Sequence, residues 1–197
     1  YGSKLGLDSV GMIIALLVTQ IVAMPSAILF GKLSQKAGSI NMILCAIGLY
    51  FVICGLGFYM GYNIEQSANA SAAVQASAMA FSQTLFWVIA ILVGTVQGGI
   101  QALSRSYFGK LVPPNNSNEY FGFFNIFGKF ATVVRPFLVA QFTVLTGRAS
   151  IGILSIMILF LIGGLILLLG KGTLKRAEEK VMAEQQTAAV VHEEATK

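Results

Sequence analysis

The sequence has very little charge for its length. Only 11% of its 197 residues are charged, whereas a soluble domain carries about 25%. Hydrophobic residues make up 56% of the chain, and the mean hydropathy is +0.77. This composition excludes an ordinary soluble domain and predicts an integral membrane protein.

Histidine, cysteine and acidic residues are also scarce, which limits the chemistry available. The single histidine, His192, lies in a polar segment near the C-terminus without ligand partners at metal spacing. Cys45 and Cys54 fall in one apolar run, where a helix would hold them too far apart for a disulfide. No nucleophile–base pair, metal cluster or paired carboxylates occur in or beside the apolar runs. We therefore predict a protein that is not an enzyme and has neither a metal site nor a cofactor.

Apolar runs of bilayer length are what the sequence has in abundance. A helix of about 20 residues spans the ~30 Å hydrocarbon core. Three runs contain no charged residue or histidine, a fourth is interrupted by two cations, and a fifth is almost entirely Ile, Leu and Gly. The sequence predicts an all-α membrane protein whose five transmembrane helices cover residues 10–30, 40–62, 81–104, 120–145 and 151–170. The transmembrane domain is then 1–170, and 171–197 is a polar tail.

The positions of the cations predict the orientation in the membrane. Nine cations flank the runs on one side of the membrane: Lys32, Lys36, Arg105, Lys110, Lys171, Lys175, Arg176, Lys180 and Lys197. The opposite side has only two, Lys4 and Arg148, together with Asp8 and Glu65. The positive-inside rule therefore places the nine-cation side and the C-terminus in the cytoplasm. The net charge of +5 is explained by this distribution, which argues against a nucleic-acid partner.

The third run has two distinct faces. Small residues recur every four positions and predict close helix packing at Ala90, Gly94, Gly98 and Ala102. About 100° around the helix, Gln97, Gln101 and Arg105 form a polar face. Amides within a span must hydrogen-bond neighbouring helices or line a wet cavity. Both roles stay open for the glutamines.

The fourth run carries the two intramembrane cations. Asn125, Lys129, Thr132 and Pro136 fall within about 60° of one another on a helix, and Arg135 lies at the edge of that arc. A cation at mid-membrane costs about 2.5–3.5 kcal/mol on insertion scales and marks a solute or ion pathway. We expect Lys129 to face a cavity together with Gln97, Gln101, Asn125 and Thr132. For Arg135 we expect a place nearer the outer interface, where it can reach a lipid phosphate or an acid.

Pro25 and Pro136 each remove a backbone hydrogen bond within a predicted span. We therefore predict kinks in the first and fourth helices. Interrupted helices are common at transporter binding sites, although kinks without a binding role are also frequent.

Two segments resemble the major facilitator superfamily. Residues 31–38, "GKLSQKAG", are similar to its loop signature G-x-L-x-D-R-x-G, with Gln35 in place of the usual acid. Residues 94–137 resemble the vacuole-effluxer-like branch, which contains the autophagy-associated vacuolar amino-acid exporters. The resemblance rests on Q-G-G-x-Q-A-L-S-R-S at 97–106, E-x-F-G at 119–122 and G-K-F at 128–130. Arg135 stands where the family usually has glycine, so the resemblance implies that Arg135→Gly is mild.

The resemblance implies a fold and a function. The chain would hold helices 8–12 of a twelve-helix carrier, an incomplete second half, with Tyr1-Gly2 similar to the end of helix seven. It would move a small polar solute, for which the resemblance suggests amino acids, by alternating access. Its partners would be the solute, the lipid bilayer and the missing N-terminal half. The membrane would be a plasma or inner membrane, or a vacuolar membrane in a eukaryote.

Two further expectations concern the cytoplasmic loop and an alternative function. Glu119 lies at the opposite end of the loop from Arg105 and Lys110, so we expect it to pair with one of them and act as a gate. The alternative function is a membrane scaffold or assembly protein that transports nothing, in which the polar faces only hold helices together.

Overall fold

The protein is all-α. A computed structural model describes residues 9–67, 71–113 and 117–195, without the side chains of residues 9, 149 and 188–195. The described elements are α1 (Ser9–Ala37), α2 (Ser39–Ser67), α3 (Ala72–Leu111), α4 (Ser117–Thr146) and α5 (Ala149–Ala195). Tyr1, Gly2, Lys4, Asp8 and Lys197, which entered the predictions of topology and family, lie outside the described residues.

The five predicted transmembrane helices are confirmed. All five helices are long and apolar enough to cross a membrane. All five extend beyond the predicted spans, and the difference is largest for α3 and α5. α3 starts at Ala72 instead of residue 81, and α5 continues without a break past residue 170 to Ala195. At 1.5 Å per residue, the 47 residues of α5 extend about 70 Å, so this helix projects well beyond the bilayer.

Glycines close the two tightest turns of the bundle. Gly38, between α1 and α2, has a φ of 85°, and Gly147, between α4 and α5, has a φ of 67°. Only glycine adopts this left-handed conformation at little cost. The N–H of Gly147 donates to the carbonyl of Thr143 at 2.9 Å, and that of Gly38 to the carbonyl of Ser34 at 2.9 Å. These turns make both helix pairs antiparallel.

α3 packs most extensively against α1, along its face of small residues. A Cβ atom at Gly94 would lie 2.6 Å from the Thr19 carbonyl oxygen, and one at Gly98 would collide with the backbone of Ala23. The Thr19 hydroxyl donates to the carbonyl of Ala90 across the interface at 3.2 Å. The structure thus places these three small residues of α3 against α1, whereas the fourth, Ala102, is exposed.

We expect Gly98→Ala to destabilise the bundle by about 1–3 kcal/mol, the usual cost of overpacking. The reason is that its Cβ would meet backbone atoms of Ala23, which cannot rotate away. Thermal unfolding followed by the fluorescence of Trp87 measures the effect. Gly55→Ala is the matched control, because a Cβ there meets nothing within 4 Å. Equal midpoints for the two variants would show that α1 and α3 do not pack this closely.

α2 and α5 are joined at the side of the membrane that the cation count predicts to be external. The Glu65 carboxylate, near the end of α2, accepts hydrogen bonds from Ser150 at the start of α5. The backbone N–H of Ser150 lies 3.0 Å from Oε1, and its hydroxyl lies 2.6 Å from Oε2. An acid at a helix N-terminus satisfies free N–H groups and is favoured by the helix dipole. Glu65 is therefore a cap for α5.

α4 is the most peripheral helix. It contacts mainly α5, and none of its 30 residues is buried. The closest approach is at Gly152 of α5, where a Cβ would meet the Thr143 hydroxyl and would lie 3.1 Å from the Val139 carbonyl. Pro25 and Pro136 lie inside α1 and α4, as the sequence indicated. A wide face of α4 is left without a partner among the described residues.

Candidate solute cavity and cytoplasmic contacts

A cavity of about 480 Å³ lies between α2, α3 and α5, and Arg135 of α4 reaches its wall. This volume lies within the range of about 300–1,000 Å³ that is typical of small-molecule sites. Three polar side chains from two helices meet at the cavity wall: Gln97, Gln101 and Arg135. The cavity therefore has a cationic and amide-rich part inside the predicted membrane spans.

The rest of the cavity wall is apolar and aromatic. Tyr50 and Phe160 stack with ring centroids 4.6 Å apart and planes 12° from parallel, and both rings line the cavity. Ile53, Met60 and Phe86 add apolar surface. None of the described residues that line this cavity is acidic. The site can therefore offer hydrogen-bond donors and one positive charge to a polar group, and apolar contacts to the rest of a molecule.

The two glutamines lie where the predicted polar face of α3 meets α2 and α5. Gln97 is partly buried, and Gln101 is exposed. Both line the cavity. The same helix turns its small residues toward α1. Packing on one face thus positions the glutamines on the neighbouring one.

The two cations of α4 lie on different sides of the helix. Lys129 is exposed, as are Asn125 and Thr132, and none of the three is among the residues that line the cavity. The Thr132 hydroxyl donates to the carbonyl of Lys129 at 2.6 Å. Six residues on a helix turn through about 600°, so Arg135 lies about 120° around the axis from Lys129. The structure brings Arg135, rather than Lys129, to the glutamines.

A different set of contacts joins α3 to α4 at the side predicted to be cytoplasmic. The Arg105 guanidinium lies over the Phe121 ring, 5.9 Å from its centroid. Phe108 packs edge-on against Phe121 at 5.4 Å and stacks on Phe124 at 4.8 Å. Cation–π and aromatic pairs of this kind each contribute about 0.5–1.5 kcal/mol. Arg105 and the E-x-F-G segment therefore meet through Phe121.

The predicted gate pair is not present in this conformation. Lys110 Nζ lies 3.7 Å from the Glu178 carboxylate of α5, and Arg105 stacks on Phe121 instead of reaching an acid. Within the described part of the chain, Glu119 forms no ion pair. Sequence reasoning missed Glu178 because the polar tail has only a thin apolar stripe, which predicted a solvated helix and not one that packs beside α3.

Comparison with known proteins agrees with this architecture. The family model described as "Vacuole effluxer Atg22 like" matches residues 2–180. The chain is 43% identical over 167 residues to the uncharacterized MFS-type transporter YxiO of Bacillus subtilis, covering 85% of this chain and 34% of that protein. It is 39% identical over 57 residues to autophagy-related protein 22 of Saccharomyces cerevisiae, which is 29% of this chain and 11% of that protein. No solved structure matches significantly.

The chain therefore spans about a third of the length of the Bacillus relative. The family match covers α1 to α4, α5 as far as residue 180, and the residues that line the cavity. With these helices and this match, the chain belongs to the vacuole effluxer Atg22-like family of transporters.

Proposed function

We propose that the chain is part of a secondary active transporter that moves a small carboxylate-bearing solute by alternating access. The observation that carries the proposal is the meeting of Arg135 with Gln97 and Gln101 at one cavity inside the membrane. An intramembrane cation is retained against its insertion cost chiefly at solute or ion pathways. The family match and the MFS-type relative support the transporter class.

The chemistry of the cavity favours a carboxylate. A guanidinium presents a planar set of N–H donors that matches a carboxylate in two parallel hydrogen bonds. The glutamine amides of α3 can donate further hydrogen bonds. The apolar wall around Tyr50 and Phe160 suits an uncharged hydrocarbon group. An apolar amino acid combines a carboxylate with such a group, and amino acids are the solutes that the family resemblance suggests.

The proposal also includes the exposed face of α4, which has no partner among the described helices. Lys129 lies 12 residues after Ser117 and 17 before Thr146, or roughly 18 Å and 26 Å from the helix ends. Contact with lipid at that depth is unfavourable for a lysine. The proposal is that a further part of the whole protein covers Asn125, Lys129 and Thr132 and forms the solute pathway with them. The relative that is about three times as long as the matched region supports this.

A counterflow experiment tests the proposed transport. The native-length protein, reconstituted in liposomes loaded with unlabelled leucine, should accumulate labelled leucine, and empty liposomes should not. Leucinol, which keeps the hydrocarbon and amine but lacks the carboxylate, should not compete. Competition by leucinol as strong as that by leucine would contradict the carboxylate. Absence of flux across a panel of amino and carboxylic acids would favour the scaffold.

The proposed orientation places the end of α5 in the cytoplasm and the end of α2 outside. In a background with Cys45→Ser and Cys54→Ala, we expect Gln66→Cys to react with an impermeant maleimide in intact cells. Thr187→Cys should react only after permeabilisation. Both positions are exposed, so their accessibility depends on the side of the membrane. Labelling of position 187 alone in intact cells would reverse the orientation.

A further inference from the structure

The cavity between α2, α3 and α5 is elongated along the helix axes, and its two ends differ in chemistry. On α3 its wall runs from Phe86 to Gln101, a rise of about 22 Å along a helix. Gln97 and Gln101 belong to the inner part, nearer the end of α3 that is predicted to be cytoplasmic. In the outer part, the α3 side chains on the wall are apolar: Phe86, Ile89 and Val93. The cavity thus has an amide-rich inner part and an apolar outer part.

α2 and α5 approach each other closely in the outer part. Gly57 of α2 and Ile153 of α5 both line the cavity, and Gly57 is buried. A Cβ at Gly57 would lie 3.1 Å from Cδ1 of Ile153, which is closer than the optimal separation of two carbon atoms. We call this close approach of Gly57 and Ile153 the neck. Glycine at position 57 is what leaves space between the two helices there.

The separation of α2 and α5 at the neck is held from the outer side. Met60, about one turn beyond Gly57, is only 2% exposed and packs against Phe86. Further out, Glu65 of α2 accepts two hydrogen bonds from Ser150 at the start of α5. Because these contacts hold the two helices together, a larger side chain at position 57 should reduce the space in the cavity instead of moving the helices apart.

Arg135 lies at nearly the same depth as the neck. The reference point is the close approach of α4 to α5, where a Cβ at Gly152 would lie 3.1 Å from the Val139 carbonyl oxygen. Arg135 precedes Val139 by four residues. Ile156 follows Gly152 by four residues, so in this antiparallel pair Arg135 and Ile156 both lie about 6 Å further in, and both line one crevice between α4 and α5. Ile153 is about 4.5 Å from the level of Ile156, which is less than one helical turn.

We propose that the neck sets the size of the hydrocarbon group that the cavity accepts, so that Gly57 is a specificity-determining residue. Its role rests on the proposed function, in which the carboxylate of the solute binds Arg135. Hydrocarbon packed against Gln97 and Gln101 would cover amides that need hydrogen-bond partners. The hydrocarbon group therefore extends outward from Arg135, where it passes the neck and meets the apolar surface of the outer part.

Binding of amino acids of increasing size to the native-length protein tests this role of Gly57. In nanodiscs, the unfolding midpoint is measured against the concentration of alanine, leucine and phenylalanine, because a ligand that binds only the folded state raises the midpoint. Gly57→Ala should weaken leucine and phenylalanine binding by roughly tenfold or more, the effect of one methylene group in an apolar site. Alanine binding should not change. Gly55→Ala is the matched control on the same helix, because a Cβ there meets nothing within 4 Å, and it should leave all three affinities unchanged.

Ile153→Val supplies the complementary change. Valine lacks the Cδ1 atom that a Cβ at position 57 would meet, so Ile153→Val added to Gly57→Ala should restore leucine binding. Ile153→Val alone keeps the native glycine and widens the neck, so it should increase the affinity for phenylalanine relative to leucine. This single variant tests the neck even where Gly57→Ala does not fold. A purely structural effect of Gly57→Ala would lower the midpoint without changing the ratio of leucine to alanine affinity.

Three results would overturn the role of the neck: equal affinity ratios in Gly57→Ala and Gly55→Ala, an unchanged preference in Ile153→Val, or no binding of any of the three amino acids to the native protein. The counterflow experiment judges the proposed function separately. Altered affinity ratios without flux would contradict transport and leave the neck supported. Flux with unchanged ratios would support transport and reject the neck.

Discussion

Arg135→Met is expected to leave the protein inserted and folded but to weaken solute binding by about 10- to 150-fold. The charged hydrogen bonds that a guanidinium makes contribute about 1.5–3 kcal/mol, and each 1.4 kcal/mol is a factor of ten in affinity. Methionine keeps an unbranched apolar stem but cannot donate a hydrogen bond. The concentration dependence of leucine counterflow measures the change. The position tolerates this substitution structurally because Arg135 is exposed on a helix without buried residues.

Two further substitutions distinguish solute binding from other effects of losing a cation. Arg148→Gln removes an exposed arginine from the α4–α5 turn and should leave the affinity unchanged. Arg135→Gly introduces the residue that is usual in the family. It should impair transport as Arg135→Met does if the guanidinium contacts the solute. Normal transport by both position-135 variants would instead assign Arg135 the snorkelling role expected from its place in the sequence.

Lys129→Met is expected to abolish or strongly reduce transport while expression and thermal stability are retained or improved. The substitution removes a charge that costs about 2.5–3.5 kcal/mol at mid-membrane when it has no aqueous or protein partner. Within the described helices no acid pairs with Lys129. Its proposed role is to present a positive charge to the pathway on the exposed face of α4. Flux in proteoliposomes from pH 5 to 8, together with the unfolding midpoint, measures both effects.

The control for Lys129→Met is Lys32→Met, an exposed lysine near the end of α1 that lies outside the proposed pathway. This variant should transport normally. If Lys129→Met shows unchanged kinetics across the whole pH range, the lysine is a structural or snorkelling residue. If it loses both transport and folding, the cation instead stabilises the packing of α4 against the part of the protein that covers it.

The sequence alone was sufficient to predict the class of protein and the number of membrane helices. Long apolar runs can form only helices or barrels in a bilayer, because every backbone polar group must be satisfied internally. Runs of about 20 residues without alternation therefore predicted five helices. The helix ends were less predictable. α5 continues through the polar tail because residues with high helix propensity follow the last span, and there the side chain of Val181 is buried.

The sequence also determined which residues share a face of a helix, because helical periodicity is local. Spacing alone assigned the small residues Gly94 and Gly98 to one face of α3 and the polar residues Gln97 and Gln101 to another. What each of these faces contacts could not be predicted from local spacing. Only the tertiary structure placed the small face against α1 and the polar face at the cavity.

The α4 cations show the same limit most clearly. Periodicity placed Lys129 and Arg135 about 120° apart, but it could not say which of them points toward α3 and α5. The answer depends on the rotation of α4 about its own axis relative to α5. The close approach of the two helices at Gly152 fixes that rotation. Likewise, Glu178 meets Lys110 only because α5 runs antiparallel to α4 and returns beside the end of α3. The sequence by itself determined the class of protein, the number of membrane spans and the residues that share each helix face. The tertiary structure decided which of these faces meet, because contacts between distant segments depend on helix rotation and packing.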